Sequence, residues 1–320
     1  MKETVLDCNF IILNRLPELY SARRFQAEIN RLKLNAKLMS PEVFIPHASQ
    51  FKTRGFCPVI LYRQGEFNFW PTQHALSHLP FKIMNAPSAF FSARDKWATT
   101  LLWNAHNIPT PTTFLASSLF TEQPTTITAE TLPTVAHALF EWAEQKLTTP
   151  FILKKRFSSQ GNGVFLIQTQ EELLTILRQD LIAYQCASPL EHAYFTSTEP
   201  PMLNRWLVQQ TIKESLGHDV RVFVTPDSAH SIQRMNKNSF RSNLHQGGSA
   251  SATPSSNEEK DLCERVHTLS KLNYSGIDFL RTKQGPLFLE INPSPGFEGI
   301  ENIYPKTNIA QKILSLLQTI

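Results

Sequence analysis

Apolar runs alternate with helical periodicities along the first 90 residues. Phe10–Leu13 is a short apolar run that predicts a strand, and residues 58–62 predict another. Between them, residues 16–34 place Leu19, Phe25 and other apolar residues at roughly helical spacing, with arginines in the intervening positions. This succession of strand, helix and strand predicts an α/β unit over residues 1–92.

Predicted helices and strands continue to alternate between residues 93 and 205. Helices are predicted over residues 95–106, 135–147 and 169–182, and strands over residues 151–155 and 164–168. The third helix opens with Thr169 and Glu172, which have the spacing of a capping box. Residues 121–131 are polar and rich in threonine, so they predict a loop. We interpret this stretch as a second unit.

Residues 206–320 predict a third unit, again of mixed type. Strands are predicted over 206–210 and 219–224, a loop rich in Ser, Asn and Gly over 236–256, a helix over 258–272, a hairpin from residue 276 and a terminal helix from residue 307. The sequence contains no internal repeat. It therefore predicts three units, with boundaries at 1–92, 93–205 and 206–320.

The predicted hairpin carries two acidic residues that face each other. If residues 283–285 form its turn, Asp278 lies directly opposite Glu290, with Cβ atoms roughly 4.5–5.5 Å apart. Carboxylates this close repel each other unless a cation lies between them, and an amide oxygen from Asn292 completes an all-oxygen set of the kind that Mg²⁺ prefers. Alternation along the second strand then directs its apolar residues toward a core, namely Leu287, Leu289 and Ile291.

A surface hairpin with solvated acidic residues is the alternative interpretation of this pattern. The polar break over residues 292–296 follows the acidic residues directly and contains two prolines and a glycine. Such a break has the composition of a shaped ligand loop, which favours the metal site. On these residues alone, both interpretations stay open.

A basic strand end and a glycine-containing loop form a second candidate element. Lys154 lies near the end of a predicted strand, and Gly161 and Gly163 follow in a polar loop before the next strand. Glycines let backbone N–H groups approach phosphate oxygens closely, and a lysine supplies positive charge. The segment is not a Walker A loop, because no Gly-Lys-Ser/Thr follows and no helix begins there. A plain hairpin turn is the alternative.

A third candidate element is a group of basic residues. Asp219 and Arg221 share one face of a predicted strand, while Arg234, Lys237 and Arg241 lie in or beside the long loop. Guanidinium groups can donate two parallel hydrogen bonds to a carboxylate or a phosphate. Taken by itself, the group is better explained as a solvated basic loop.

Composition narrows the class of protein. The chain has 320 residues, of which 41% are hydrophobic and 18% charged, as in ordinary globular proteins with more than one core. The net charge of +4 is spread along the chain, which suits anionic ligands but argues against nucleic acid or a membrane surface as a partner. Four cysteines without paired spacing argue against a zinc site or a disulfide framework and predict a cytoplasmic protein: Cys8, Cys57, Cys186 and Cys263.

Several motifs together resemble the RimK family of ATP-grasp ligases, which are α-L-glutamate ligases that modify protein or small-molecule acceptors. The similarity extends from about Leu13 to Ile313. It is densest over residues 240–245 with the glycine pair that follows, and over residues 285–301. Shorter matches lie at residues 19–21, 93–96 and 160–163. The combination is far more specific than a lone glycine pattern.

The resemblance implies an α/β and α+β architecture, with an N-terminal α/β pre-ATP-grasp domain followed by a two-subdomain ATP-grasp fold. It also implies ATP and two Mg²⁺ or Mn²⁺ ions as cofactors. Carried over by position, the nucleotide-binding residues are Lys96, Lys154, Gly161, Gly163, Gln210, Thr211, Asp219, Arg241, Ser242 and Asn243. Lys154 and Lys96 would contact phosphates, Gln210 and Thr211 the adenine edge, and Asp219 the ribose.

The resemblance further implies a reaction. ATP would phosphorylate a substrate carboxylate, and an amine would then attack the acylphosphate. Asp278, Glu290 and Asn292 would bind the metal ions, and Arg221 and Arg241 would stabilise the acylphosphate. Glutamate or a similar amino acid would be joined to an acidic peptide, a protein or a small-molecule acceptor, and homo-oligomer formation stays open.

Three departures from the family keep other functions open. The adenine-edge pair is Gln210-Thr211, where relatives commonly have Glu and an aromatic residue, Pro293 replaces a small residue, and the segment 184–204 is longer. The first alternative is a ligase of the same fold that acts on a different amine and carboxylate. The second is a nucleotide-binding regulatory protein without ligase activity, which the intact metal set weakens.

Overall fold

The computed structural model describes residues 8–14, 16–44, 59–63, 78, 81–119, 127–159, 161–185, 202–244 and 247–320. Predictions that concern Gln160, His245, most of the loop 121–131 or most of the segment 184–204 lie outside these residues. Within the described part of the chain, no helix combines the length and the apolar character that crossing a membrane requires.

The first unit is a parallel four-stranded sheet with helices, as the alternation of strand and helix predicts. Its strands are β1 (Phe10–Leu13), β2 (Ala36–Met39), β3 (Val59–Tyr62) and β4 (Lys82–Met84), in the order β2-β1-β3-β4. Its helices are α1 (Tyr20–Leu32), α2 (Pro41–Phe44) and α3 (Pro87–Arg94). Parallel strands end at the same edge of a sheet, so the residues after β3 and β4 leave from one side.

The second unit is an antiparallel four-stranded sheet with helices packed on it. Its strands are β5 (Thr113–Leu115), β6 (Phe151–Lys155), β7 (Val164–Ile167) and β8 (Trp206–Gln210), in the order β5-β8-β6-β7. The helices of this stretch are α4 (Lys96–Ala105), α5 (Leu132–Leu147) and α6 (Gln170–Gln185). Leucines of α5 and α6 pack on the apolar face of the sheet. The predicted capping box of α6 is present, with Glu172 N donating to Thr169 Oγ1 at 3.2 Å.

Strand β8 pairs with β5 and β6, whereas the predicted boundary at residue 205 assigned it to the third unit. A strand belongs to the sheet that satisfies its backbone hydrogen bonds, and the sequence of a strand does not state its partners. The pairing therefore ends the second sheet at residue 210, and the third sheet begins at residue 218.

The third unit is an antiparallel five-stranded sheet. Its strands are β9 (His218–Thr225), β10 (Ser228–Met235), β11 (Ser249–Ala252), β12 (Ser275–Thr282) and β13 (Gly285–Asn292), in the order β11-β10-β9-β12-β13. Its helices are α7 (Asn257–Ser270), α8 (Glu298–Ile303) and α9 (Ile309–Leu317). Alternate residues of β9 and β12 pack against α3, α4 and α7 in an apolar core, among them Val220, Val222, Ile277 and Phe279. The residues between them face the other way.

Two strands of this sheet were missed by the sequence analysis, which placed Arg234 in or beside the long loop 236–256. Strand β10 buries three residues, of which Ser231 and Arg234 are polar and Ile232 is apolar, so it lacks the apolar alternation of a half-buried strand. Both side chains have partners, since Ser231 Oγ donates to Thr253 O at 2.6 Å and Arg234 pairs with Asp219. Strand β11 lies within the predicted loop 236–256 and consists only of Ser and Ala.

The hairpin of β12 and β13 has the predicted register but not the predicted turn. Asp278 pairs with Glu290, yet Thr282 pairs with Gly285, so the turn has two residues rather than three. A β-bulge next to Asp278 adds one residue to β13 and restores the register. The bulge also changes the faces, because Phe288 and Ile291 enter the core whereas Leu289 lines a cleft beside Glu290. The predicted inward alternation of Leu287, Leu289 and Ile291 was therefore wrong for the two leucines.

The first and third units are joined around one buried carboxylate. Glu301, at 8% exposure, accepts hydrogen bonds at Oε2 from Tyr20 Oη (2.6 Å) and Arg24 Nε (2.8 Å). Its Oε1 accepts from Ile309 N at 2.8 Å, which anchors the start of α9. Apolar residues of α1 and α9 pack beside this carboxylate, including Phe25 and Ile313.

We predict that Glu301→Gln lowers the midpoint of thermal unfolding by several degrees. The amide nitrogen of Gln cannot accept a hydrogen bond, so one side of the carboxylate loses its partners, and hydrogen bonds to charged groups contribute about 1.5–3 kcal/mol each. Thermal unfolding followed by fluorescence measures the change. Glu298→Gln, on the exposed side of the same helix, is the matched control and should leave the midpoint unchanged. Equal midpoints for both variants would refute the assigned role of Glu301.

Candidate active site

A cleft lies between the second and third sheets, and most of the predicted site residues line it. The lining contains Lys96, Lys154, Gly161, Gln210, Thr211, Asp219, Arg241, Ser242, Asn243, Asp278 and Glu290. Gly163, Arg221 and Asn292 lie close by but outside the lining. The fold thus brings together residues that are separated by up to about 190 positions in the chain, as a ligand site between two units requires.

Lys96 joins three segments at the base of the cleft. It begins α4, and its Nζ donates to Ser158 O at 2.8 Å and lies 3.7 Å from Glu290 Oε2. The start of α4 is fixed by Asp95, whose carboxylate caps the helix by accepting from Trp97 N at 3.0 Å. The same carboxylate binds the guanidinium of Arg156 through two hydrogen bonds. The lysine is therefore held between the loop after β6 and strand β13.

Burial changes the protonation of the two lysines. The pKa of Lys154 is lowered to about 7, chiefly by burial and also by the positive charge of Lys96, while Glu290 opposes the shift. Burial also lowers the pKa of Lys96 to about 8, against the attraction of Glu290. Each side chain is less than 8% exposed. A polyphosphate in the cleft would favour both ammonium forms, because an opposite charge nearby raises the pKa of a lysine.

The glycine loop between β6 and β7 packs closely against the loop after β10. Gly161 has a φ of +77°, and a Cβ there would lie 2.8 Å from Asn243 Oδ1 and 3.3 Å from Arg241 Cδ. Arg241 in turn donates to the carbonyl oxygen of Val164 from Nε at 2.9 Å. Gly163 also has a positive φ, and a Cβ there would lie 2.8 Å from a carbon of the Lys155 side chain. Both glycines are therefore required by close approach, and Arg241 connects the two sheets across the cleft.

Four alternating charges lie on the cleft face of the third sheet. Arg234 is directly opposite Asp219 in the pairing of β9 and β10, and Asp278 is directly opposite Arg221 in the pairing of β9 and β12. Each pair is bidentate, and Arg234 also reaches Asp278 Oδ2 at 2.9 Å. All four residues are at most 9% exposed. Because the strand register sets the order of charges, each buried ion has at least one partner.

Asp278 therefore differs from a solvated carboxylate. Burial would raise its pKa, but the guanidinium groups of Arg221 and Arg234 outweigh this effect and hold the pKa below its ordinary value. Arg221 also lies 3.9 Å from Glu290 Oε1. Arg234 is the member of this array that sequence reasoning missed as a site residue. The signal for it is the equal distance of Arg234 and Asp219 from a turn at residues 226–227, which places them opposite each other in a hairpin.

The predicted metal set has the donor chemistry for Mg²⁺. Asp278 and Glu290 are cross-strand neighbours, and Asn292 follows two positions later at the end of β13. Glu290 is the accessible member, with 28% of its side chain exposed to the cleft. Within the described residues, no group of three or more His, Cys, Asp or Glu is arranged to hold a metal. Two carboxylates and an amide oxygen nevertheless fit a Mg²⁺ that takes its remaining ligands from water and phosphate.

The far end of the cleft is polar on one side and apolar on the other. The side chain of Thr211 is 9% exposed, and its hydroxyl has no hydrogen-bond partner among the described residues. Gln209 is buried beside it and donates to Thr113 Oγ1 at 2.7 Å. Ile152 and Leu280 contribute apolar surface. An apolar slot with one unsatisfied hydroxyl group is a suitable environment for a planar heterocycle.

Comparisons with known proteins match most of the chain. A family model described as a RimK-like ATP-grasp domain matches residues 93–317. A probable alpha-L-glutamate ligase of Haemophilus ducreyi is 31% identical over 237 residues, which cover 73% of this chain and 65% of that protein.

Solved structures with a similar fold include two ATP-grasp proteins. One is a RimK domain ATP-grasp protein from Sphaerobacter thermophilus, with a TM-score of 0.63 and 16% identity, covering 96% of this chain and 98% of that one. The other is the ATP-grasp ligase PsnB complexed with minimal precursor, Mg and ADP, with a TM-score of 0.60 and 14% identity, covering 98% of each chain. These likenesses confirm the predicted ATP-grasp fold class.

We predict that nucleotide binding at about pH 8 takes up protons from solution. Lys96 and Lys154, with pKa values of about 8 and 7, are partly neutral there, and a polyphosphate raises both values. Because the lysines must become charged, the apparent affinity for ATP should fall as the pH rises from about 7 to about 9. Calorimetric titrations in buffers of different ionisation enthalpy measure the number of protons.

Two variants test whether the proton uptake comes from the buried lysines or from any positive charge near the cleft. Lys154→Met should reduce the proton uptake, whereas Lys213→Met removes an exposed lysine beside the same cleft and should not change it. Binding without proton uptake in the wild-type protein would contradict the assignment of a polyphosphate to these lysines.

Proposed function

The chain belongs to the RimK-like ATP-grasp family, and we propose that it is an ATP- and Mg²⁺-dependent carboxylate–amine ligase that adds glutamate to an acceptor. The observation that carries this proposal is that two buried lysines and two carboxylates, those of Asp278 and Glu290, line one cleft, and that Asn292 follows Glu290 by two positions on the same strand. Lys96 lies 3.7 Å from Glu290, so a side chain suited to a phosphate and one suited to a metal ion meet where we propose that the terminal phosphate of ATP lies.

The proposed reaction has two steps. The γ-phosphoryl group of ATP is transferred to an oxygen of the substrate carboxylate, which gives an acylphosphate and ADP. The amine nitrogen of the second substrate then attacks the acyl carbon, the C–O bond to phosphate breaks, and the amide and inorganic phosphate are released. Phosphorylation is needed because a carboxylate oxygen is a poor leaving group, and catalysis then depends on positioning and charge stabilisation.

Each group of cleft residues has a distinct part in this proposal. Lys96 and Lys154 bind the phosphates, and Arg241 closes the glycine loop over them, since it already bridges the two sheets. Mg²⁺ held by Asp278, Glu290 and Asn292 would neutralise charge on the phosphate oxygens. Arg221 balances the charge of Asp278 and lies within 3.9 Å of Glu290, beside the place where the acylphosphate would form.

Glutamate is proposed as the added substrate on two grounds. The curated relative is named a probable alpha-L-glutamate ligase, and the cleft lining has more basic than acidic side chains among its described residues. An acidic peptide, a protein or a small molecule is the proposed acceptor, because the same excess of positive charge favours anionic partners.

We predict that Glu290→Gln lowers kcat by at least about 100-fold, because it removes a charged metal ligand at the reacting phosphate. This variant is a cleaner test than Asp278→Asn, which leaves Arg221 and Arg234 buried without their shared partner and so also destabilises the fold. Asp261→Asn, on the exposed face of α7, is the matched control and should retain wild-type activity. Wild-type turnover in Glu290→Gln would refute the metal assignment.

We further predict a product whose mass is greater than that of the acceptor by one or more glutamate residues. Mass spectrometry of reactions with ATP, Mg²⁺, glutamate and acidic-tailed peptides measures this increase, and reactions without ATP are the control. Mass increases that correspond to a different amino acid would support the proposed ligase activity but would show that glutamate is not the substrate. ATP binding without any product from a broad set of amines and acids would instead support the regulatory alternative.

A further inference from the structure

The segment at the end of β13 has too few backbone N–H groups to satisfy its own carbonyl groups. Residues 292–296 read Asn-Pro-Ser-Pro-Gly, and the two prolines have no N–H group. Ser294 N donates to the side-chain oxygen of Asn292 at 2.9 Å, which uses one of the few donors available. The buried carbonyl groups of Pro293 and Pro295 therefore need donors from elsewhere in the protein.

Asn85 of the first unit supplies one of these donors. It follows β4, is fully buried, and its Nδ2 donates to Pro293 O at 2.8 Å and to Tyr274 O at 3.1 Å. Its Oδ1 accepts from Asn273 N at 2.7 Å. Both amide hydrogens and one acceptor position are in use, so the side chain has a single orientation and holds Pro293 at a fixed place.

Arg63, which follows β3, supplies the second donor. One terminal nitrogen donates to Pro295 O at 2.8 Å and the other to Tyr274 Oη at 3.2 Å. The guanidinium carbon also lies 5.3–5.8 Å from the ring centroids of Phe25, Tyr274 and Phe297. These rings surround the guanidinium and prevent it from following Pro295 if that residue moves.

Strand β12 packs against the side of this segment that the first unit does not contact. Gly276 pairs with Asn292 across the hairpin, and a Cβ on Gly276 would lie only 2.6 Å from Pro295 Cβ. The segment therefore packs on β12 at one side and is bound by the first unit at its carbonyl groups. Asn292 lies between these restraints.

We propose that Asn85 and Arg63 are positioning residues for the metal site, which act by holding residues 293–295 and thereby fixing the side chain of Asn292. This inference rests on the proposed function, because that function assigns Asn292 to the metal. It means that the first unit, which has no residue in the described metal set, nevertheless sets the metal affinity. Residues that orient a ligand typically change metal affinity 10–100-fold when they are replaced.

A general role in holding the two units together is the competing explanation, and the structure provides a control for it. Tyr20 also joins the first unit to the third, through its 2.6 Å hydrogen bond to Glu301, but it does not contact residues 293–295. Tyr20→Phe therefore removes a comparable inter-unit hydrogen bond without touching the segment. Asn85→Asp is the matched test variant, because it keeps the size and the acceptor for Asn273 N but turns an oxygen toward Pro293 O.

The experiment measures binding of Mn²⁺, as a paramagnetic substitute for Mg²⁺, to full-length protein with saturating ADP by electron paramagnetic resonance. Binding of ADP in EDTA is measured in parallel by calorimetry. We expect Asn85→Asp to weaken Mn²⁺ binding about 10–100-fold and to change metal-free ADP binding by less than about twofold. Tyr20→Phe should change neither value. Excess Mg²⁺ should restore kcat in Asn85→Asp, which a purely structural defect would not allow.

Wild-type Mn²⁺ affinity in Asn85→Asp would overturn the proposal, as would an equal loss of metal-free ADP binding. If Asn85→Asp does not fold, Arg63→Lys decides, since lysine keeps the charge among the rings but cannot reach both oxygens with one planar group. It should weaken Mn²⁺ binding at least about threefold, and unchanged binding would overturn the proposal. A wild-type protein that binds Mn²⁺ with ADP but makes no amide would refute the proposed ligase, while the comparison of variants would still decide this inference.

Discussion

The burial of two lysine side chains at the junction of the second and third sheets is the constraint on which the site depends. An ammonium group removed from water is costly unless anions lie nearby, and without ligand the nearest described carboxylate is Glu290. The depressed pKa values of Lys96 and Lys154 express this incomplete compensation. The polyphosphate that the proposed function assigns to this cleft would supply the missing negative charge, because its oxygens would lie beside both ammonium groups.

The sequence predicts the apolar half of this structure better than its polar half. Phe10–Leu13 and Phe151–Lys155 are strands as predicted, and the helix at Lys96–Ala105 lies within the predicted range, because burial on one face leaves a periodic signal. Strand Ser228–Met235 leaves no such signal, because its buried residues, Ser231, Ile232 and Arg234, include two polar side chains and are divided between the two faces. Its burial is stabilised by partners on other strands, and those partners are known only once the register is known.

The metal hairpin shows how a correct prediction can rest on a wrong premise. The pairing of Asp278 with Glu290 is confirmed, but it results from a two-residue turn and a bulge rather than from the three-residue turn that the sequence suggests. The bulge matters chemically, because it places Leu289 and Glu290 together in the lining of the cleft. The predicted hairpin register brought Asp278 and Glu290 together as candidate ligands, whereas the geometry of the pair depends on an irregularity that a strict period of two cannot represent. The roles of the individual site residues stay predictions.

The charge balance of the cleft also determines the order in which its ligands can bind. Its described lining contains four basic side chains, Lys96, Lys154, Arg234 and Arg241, and three acidic ones, Asp219, Asp278 and Glu290, and Arg221 lies directly behind them. A bare divalent cation would therefore enter a region that is already net positive, and at Asp278 it would compete with two guanidinium groups.

A nucleoside triphosphate would make the net charge of the cleft negative, since its phosphates attract both the lysines and the metal. The metal should consequently bind as a complex with nucleotide, with Glu290 as its first protein ligand because that carboxylate is the least restrained by arginine. Under the proposed function, the arrangement of arginines thus makes metal binding conditional on nucleotide binding, and the two sites do not act as independent pockets.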